Sequence, residues 1–191
     1  MYQKTLQDHQ TVMSSKFLSQ NKSKQLINSF FTIDQDYRKY FMREIISNSL
    51  SDHHHIIIKK IELKKAEAIK RLIKINRGWF IQSIYGEETD RMLWLLIQHM
   101  DSDIAYQKYI LNILKKLYPI GETSKQNYAY LYDRIAINEK RPQKYGTQFF
   151  FDKTLNRFVL YEVANIDLLP ELRKKMGLIP IEEYEVTLPS F

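Results

Sequence analysis

The chain has no cysteine, which excludes disulfides, thiolate nucleophiles and cysteine-held zinc. Glycine and proline are scarce, five of each in 191 residues. No glycine precedes Gly78 and no proline precedes Pro119, so nothing punctuates long helices in the first half. The opening "MYQKTLQDHQTVMSSKFLSQ" has no apolar run of signal-peptide length, and no segment approaches the roughly 18 apolar residues of a membrane span. The chain is therefore expected to be cytoplasmic. Glycine-flanked serine elbows, phosphate-binding and dinucleotide-binding glycine loops, HExxH and EF-hand patterns are also missing, which removes the commonest readable chemistries.

The residues that are present describe a folded protein. Hydrophobic side chains make up 44% of the chain and aromatics 13%, enough for a sizeable core. The net charge of +7 favours anionic partners, nucleic acid among them. The cations are spread out and mixed with acids, which equally describes a solvated, lysine-rich surface.

Hydrophobic periodicity sets the expected architecture: mainly α, a single-domain bundle of about six helices with a small β-hairpin near residues 146–162. Residues 1–22 are expected to be a flexible or marginally helical arm, and residues 23–191 one globular domain. Leu26, Ile27, Phe30, Ile33, Tyr37, Tyr40, Phe41 and Ile45 mark a long helix that "SNSLSD" interrupts. Asp52 is a candidate cap for the next helix. His53, His54 and His55 form a tract that borders a loop, and three adjacent side chains do not point one way, so it is a poor metal tract.

Residues 57–76 read as a basic amphipathic helix. Ile58, Ile61, Ala66, Ile69, Leu72 and Ile73 form its stripe, and seven Lys or Arg lie between Lys59 and Lys74. Gly78 is expected to close it. Glu87 and Glu88 open a further helix at the positive end of its dipole, with Met92, Leu93, Leu96 and Met100 on the apolar side. Asp101 or Ser102 is expected to break and cap before a helix from about Asp103 to Tyr118. Thr123 or Ser124 is expected to cap another, with Asp133 and Arg134 in its middle. A short helix is expected from Ile166 to Met176, stopped by Gly177, and "IPIEEYEV" adds a last turn and an extended tail.

Four short segments carry polar residues that core packing does not require: "DQDYR" (34–38), "QHMD" (98–101), "YDR" (132–134) and "QKYGTQ" (143–148). His99 is the one histidine outside the N-terminal arm and the tract, and imidazole titrates near neutrality. It is the candidate general base or acid, oriented by Asp101 or Asp133. A helix-terminating histidinium is the plainer role for it. Arg134 or Arg38 is the candidate holder of a carboxylate or phosphate. A salt bridge of Asp133 to Arg38, or of Arg134 to Asp34, is the structural alternative. Gly146 permits a tight turn or a close ligand approach, beside Thr147 and Gln148.

In this order, "DQDYR", "GWF", "GEE", "WLLIQHMD", Gln107, "AYLYDR", "RPQKYGTQ" and "LRKKMGLIPIEEY" resemble a bacterial family known only as a domain of unknown function. Its members read DQxxR, GWP, GEE, WLIVQHAD, LxDR, QxYGTQ and RxxxGLxxLxEY. The resemblance spans roughly residues 30 to 186. It singles out Asp34, Gln35, Arg38, Trp79, Glu87, Glu88, Gln98, His99, Asp101, Gln107, Asp133, Arg134, Gln143, Tyr145, Gly146, Thr147, Gln148 and Arg173. Phe80 stands where the family has Pro, and Met100 where it has Ala. The family supplies no activity.

The leading expectation is a soluble enzyme, a hydrolase or lyase, acting on a small molecule or peptide. Its catalytic residues would be His99, Asp101 and Asp133. Asp34, Gln35, Arg38, Gln98, Arg134, Gln143, Tyr145, Thr147 and Gln148 would bind substrate. One histidine and two loosely spaced aspartates are a poor metal signal, so no metal is assigned, and the cofactor stays open. The competing expectations are a protein- or nucleic-acid-binding module using the helix at 57–76, and a structural protein with buried polar networks. No membrane partner is expected.

Overall fold

The computed structural model describes residues 1–47 and 51–186. The break expected at "SNSLS" and the tail beyond Val186 therefore fall largely outside the described residues, as does the side chain of Ile45. The protein is mainly helical with a two-stranded antiparallel hairpin near its C-terminus. The described residues form nine α-helices, where about six were expected. The additional ones are an N-terminal helix and short turns of helix that carry little periodicity. The chain divides into two compact units, Met1–Met100 and Asp101–Phe191.

The first unit contains α1 (Tyr2–Ser14), α2 (Gln20–Ser47), α3 (Asp52–Ile75), α4 (Gln82–Tyr85) and α5 (Glu87–Gln98). The N-terminal stretch is helical because Thr5, Asp8 and Val12 bury one side of it against α3. Asp8 is satisfied there by Lys4 at 3.0 Å and by the Ser29 hydroxyl at 2.6 Å. Leu26, Ile27, Phe30, Ile33 and Tyr37 give α2 its buried stripe, which packs on α5. Ser51, not Asp52, caps α3, accepting from the amide of His54. The histidine tract becomes the exposed first turn of that helix.

Gly78 does not take the left-handed turn at the end of α3. Arg77 does, at φ 60. Its amide reaches the Lys74 carbonyl at 3.1 Å and the Gly78 amide reaches Ile73 at 3.1 Å, the pair of bonds that closes a Schellman end.

The second unit contains α6 (Ile104–Leu117), α7 (Lys125–Asn138), β1 (Phe149–Asp152), β2 (Arg157–Leu160), α8 (Leu169–Lys175) and α9 (Ile181–Val186). Asp103 caps α6, taking the Tyr106 amide at 3.0 Å, so the cap is neither Asp101 nor Ser102. Ser124 caps α7. The hairpin register runs from Phe149 opposite Leu160 to Asp152 opposite Arg157. The turn is held by Asp152, which accepts the amides of Thr154 and Leu155.

Candidate functional site

In the first unit the polar residues converge on Asp34, whose side chain is 0% exposed. It sits on α2 one turn before Arg38, and both belong to the face that also carries Ile33 and Tyr37. Lys65 from α3 forms an ion pair with its Oδ1. Its Oδ2 accepts from His99 Nδ1 at 2.6 Å, Gln35 Nε2 at 3.1 Å and Arg38 Nε at 3.2 Å. Glu62 closes the set, accepting from the Tyr37 hydroxyl at 2.8 Å and from Arg38 Nη2 at 3.4 Å.

The electrostatics follow from burial against charge. Burial works against the Asp34 carboxylate, but the His99 hydrogen bond and the Lys65, His99 and Arg38 charges outweigh it, and the group lies well below the usual carboxylate range. Burial lowers Lys65 and His99, and the pull of Asp34 offsets this only in part. Burial also raises the Tyr37 hydroxyl far above its usual range, which fixes it as a donor to Glu62.

His99 is the C-cap residue of α5, its amide reaching the Leu95 carbonyl at 3.1 Å. It therefore finishes a helix with its backbone and meets a carboxylate with its ring. The side chain is 16% exposed, and Nε2 makes no hydrogen bond among the described residues. Arg38, 24% exposed, likewise makes no hydrogen bond from Nη1 among the described residues.

In the second unit another carboxylate is just as buried. Asp133, mid-helix in α7 and 0% exposed, accepts the amides of Lys144 (2.7 Å), Tyr145 (3.1 Å) and Thr147 (3.1 Å) and the Thr147 hydroxyl (3.0 Å). Burial raises its pKa against the pull of these donors. Gln143 holds the same loop through the Gln148 amide and the carbonyls of Gln148 and Tyr161. Arg173, buried on α8, donates Nη1 to the carbonyls of Tyr145 and Gly146 at 2.9 and 2.7 Å. Gly146, at φ 64, lies so close to Leu169 that an added Cβ would stand 3.3 Å from both of its methyls, so the close approach is to protein. Asp101 receives Arg134 through two nitrogens and Asn138 Nδ2 at 2.8 Å, and Arg134 Nη1 reaches Gln148 Oε1 at 3.3 Å.

The expected site residues thus fall into two groups. Asp34, Gln35, Arg38 and His99 meet in the first unit, and Asp133, Gln143, Tyr145, Thr147 and Gln148 form one network in the second, with Asp101 and Arg134 joined to it through Gln148. Gln98 and Gln107 are buried in α5 and α6. Glu87 and Glu88 are exposed in the first turn of α5. The carboxylate on His99 is Asp34. Arg38 and Arg134 pair with Asp34 and Asp101. Trp79 donates to the buried Asp90 at 2.6 Å.

Sequence reasoning missed Lys65, Glu62 and Tyr37 as site members. Lys65 is one of seven cations between Lys59 and Lys74, and only its i, i+4 spacing from Ile61 and Ile69 on the buried stripe would have flagged it. Among the described residues no group of three His, Cys, Asp or Glu side chains is placed to hold a metal ion. No helix among them is long and apolar enough to cross a membrane.

A mainly helical protein with a small hairpin and a buried Asp–His pair is the class that fold and site define. The chain belongs to the Family of unknown function (DUF6624), whose model matches residues 22–189. No curated protein and no solved structure matches it.

Proposed function

We propose that this protein is an enzyme that moves a proton on a small molecule, with His99 as general base and then general acid. The observation that carries the reading is the 2.6 Å contact between His99 Nδ1 and a wholly buried Asp34. A carboxylate on Nδ1 keeps the proton on that nitrogen and turns the lone pair of Nε2 outward. Lys65 and Arg38 keep Asp34 ionised, so an imidazolium formed by proton capture at Nε2 stands beside a fixed negative charge. Burial keeps the ring unprotonated at neutral pH, the state a base requires.

Arg38 gives the substrate class. It and His99 contact the same oxygen of Asp34, so Nε and Nδ1 stand no further apart than those two bonds laid end to end. Its Nη1 supports a carboxylate or phosphate beside the reacting proton. The orienting role expected of Asp101 or Asp133 goes to Asp34, because both other carboxylates are engaged by donors of the second unit. Hydrolysis and elimination are the two reaction types that such a pair serves.

Diethyl pyrocarbonate, which acylates an unprotonated imidazole nitrogen, tests the reading. Mass mapping should find His99 modified in the folded protein, with a reaction midpoint below the usual value of about 6.5. Any activity found in a panel of esters, phosphate esters and hydroxy acids should fall by about a hundredfold or more in His99→Gln. Modification of His53 to His55 with an inert His99 would overturn it, as would a surviving activity in His99→Gln.

A further inference from the structure

A pocket of about 410 Å³ opens in the second unit, between the end of α8 and the start of α9. Its size lies in the range of small-molecule sites, about 300–1,000 Å³. The walls are apolar: Pro170, Leu178, Ile179, Pro180 and Ile181. Two cations and one acid interrupt them, Arg173, Lys174 and Glu182.

The turn between α8 and α9 that walls the pocket is held by its own hydrogen bonds. Gly177 takes φ 65 after α8, and the Leu178 amide returns to the Arg173 carbonyl at 2.9 Å. Arg173 Nε holds the far side of the turn through the Ile179 carbonyl at 2.8 Å. The three hydrogen bonds Arg173 makes are thus to backbone carbonyls. Its guanidinium also lies over the Tyr184 ring at 5.4 Å, and Asp133 and Glu182 act on it through charge without a hydrogen bond. Its Nη2 makes no hydrogen bond among the described residues. The charges lining the pocket sum to one net positive, on a buried guanidinium and an exposed rim lysine.

We propose that this pocket binds a small amphiphile, an aliphatic carboxylate whose chain packs on Leu178, Ile179 and Ile181 while its head group takes Arg173 and Lys174. An apolar tail matches the walls, and a single anionic head balances the unmatched charge. The same guanidinium clamps the Tyr145–Gly146 carbonyls, so occupancy of the pocket is read by the "YGTQ" loop. The inference rests only on the second unit and is independent of the role of His99.

The experiment is a titration of the full chain with sodium hexanoate, sodium octanoate and 1-octanol, followed by methyl NMR. Octanoate should shift the Leu178, Ile179 and Ile181 methyls and the Gly146 amide saturably, and bind about fourfold more tightly per added methylene than hexanoate. Lys174→Glu, on an exposed side chain, should weaken octanoate by about tenfold and leave octanol unchanged. Octanol binding as tightly as octanoate would assign the pocket to neutral apolar ligands and overturn the proposal. So would shifts that depend on protein concentration alone, which would mean a second copy, or the absence of saturation at millimolar octanoate.

Discussion

Asp34 and Asp133 are both fully buried, yet each is kept in the interior by opposite means. Asp34 is surrounded by charge: a buried lysine, a half-buried arginine and a histidine ring. Asp133 is surrounded by dipoles: three backbone amides and a hydroxyl from one loop. A carboxylate whose partners are amides organises backbone and has no lone pair to spare. A carboxylate whose partners ionise sets the charge and tautomer of its neighbours. The first kind builds a loop, and the second kind sets the charge of the side chains around it.

The sharpest break of this comparison is to remove each carboxylate. Asp34→Ala strands Lys65, 2% exposed, without its counter-ion, and an uncompensated buried charge costs about 3–5 kcal/mol. Asp133→Ala orphans three amides and a hydroxyl, at about 1–3 kcal/mol for each buried donor that finds no water. Denaturant unfolding of both variants measures the two costs. The distinction lies in rescue. Adding Lys65→Met to an Asp34→Leu variant should recover most of the loss, because a buried pair replaced by apolar groups is often neutral. No second side-chain change should rescue Asp133→Ala, since its orphans are backbone.

A smaller effect separates them by pH. The folded pKa values of His99 and Asp34 both lie below their unfolded ones. Between each folded and unfolded value the unfolded chain binds more protons, so stability rises with pH. As pH falls, stability should be lost first below about 6.5 through His99 and then below about 3.9 through Asp34. His99→Gln should remove the first step and shrink the second, because the His99 hydrogen bond and charge are among the causes that lower Asp34, while Lys65 and Arg38 keep the remainder of it. Asp133 runs the other way: its raised pKa makes its contribution larger as pH falls towards the unfolded value. Carboxyl carbon titration by NMR should find Asp34 below the usual range and Asp133 above it.

The helices and hairpin were legible because hydrophobic periodicity is local. The buried stripes of α2 and α5, and Asp133 in mid-helix, follow from spacing alone. Caps were legible to within one or two residues: Ser51 in place of Asp52, Asp103 in place of Asp101 or Ser102, since several oxygen-bearing side chains cluster at each helix start. Pairing was not legible. Asp34 and His99 are 65 positions apart, and nothing in either segment says which of the carboxylates meets the ring. Lys65 was hidden by its neighbours, because a charge on the buried side of a basic helix looks like the charges on its outer face. The basic helix itself spends part of its charge internally: Lys65 on Asp34, Arg71 on the Ser15 carbonyl and Lys64 on Glu67.

Asp101 supplies the smallest and most discriminating test, because it is paired by charge like Asp34 but exposed to water. Its side chain is 40% exposed and that of Arg134 32%, and ion pairs of this kind contribute about 0–1 kcal/mol. Arg134→Ala should therefore cost less than Asp34→Ala by several-fold, and its cost should shrink with added salt, since solvent reaches both partners. Arg134 Nη1 also contacts the side chain of Gln148, so a structural role for this arginine would appear as a loss larger than salt can remove. Unfolding of Arg134→Ala at low and high salt decides between the two. A salt-independent loss above about 2 kcal/mol would move Asp101 and Arg134 from the surface pairs to the loop scaffold that Asp133 already anchors.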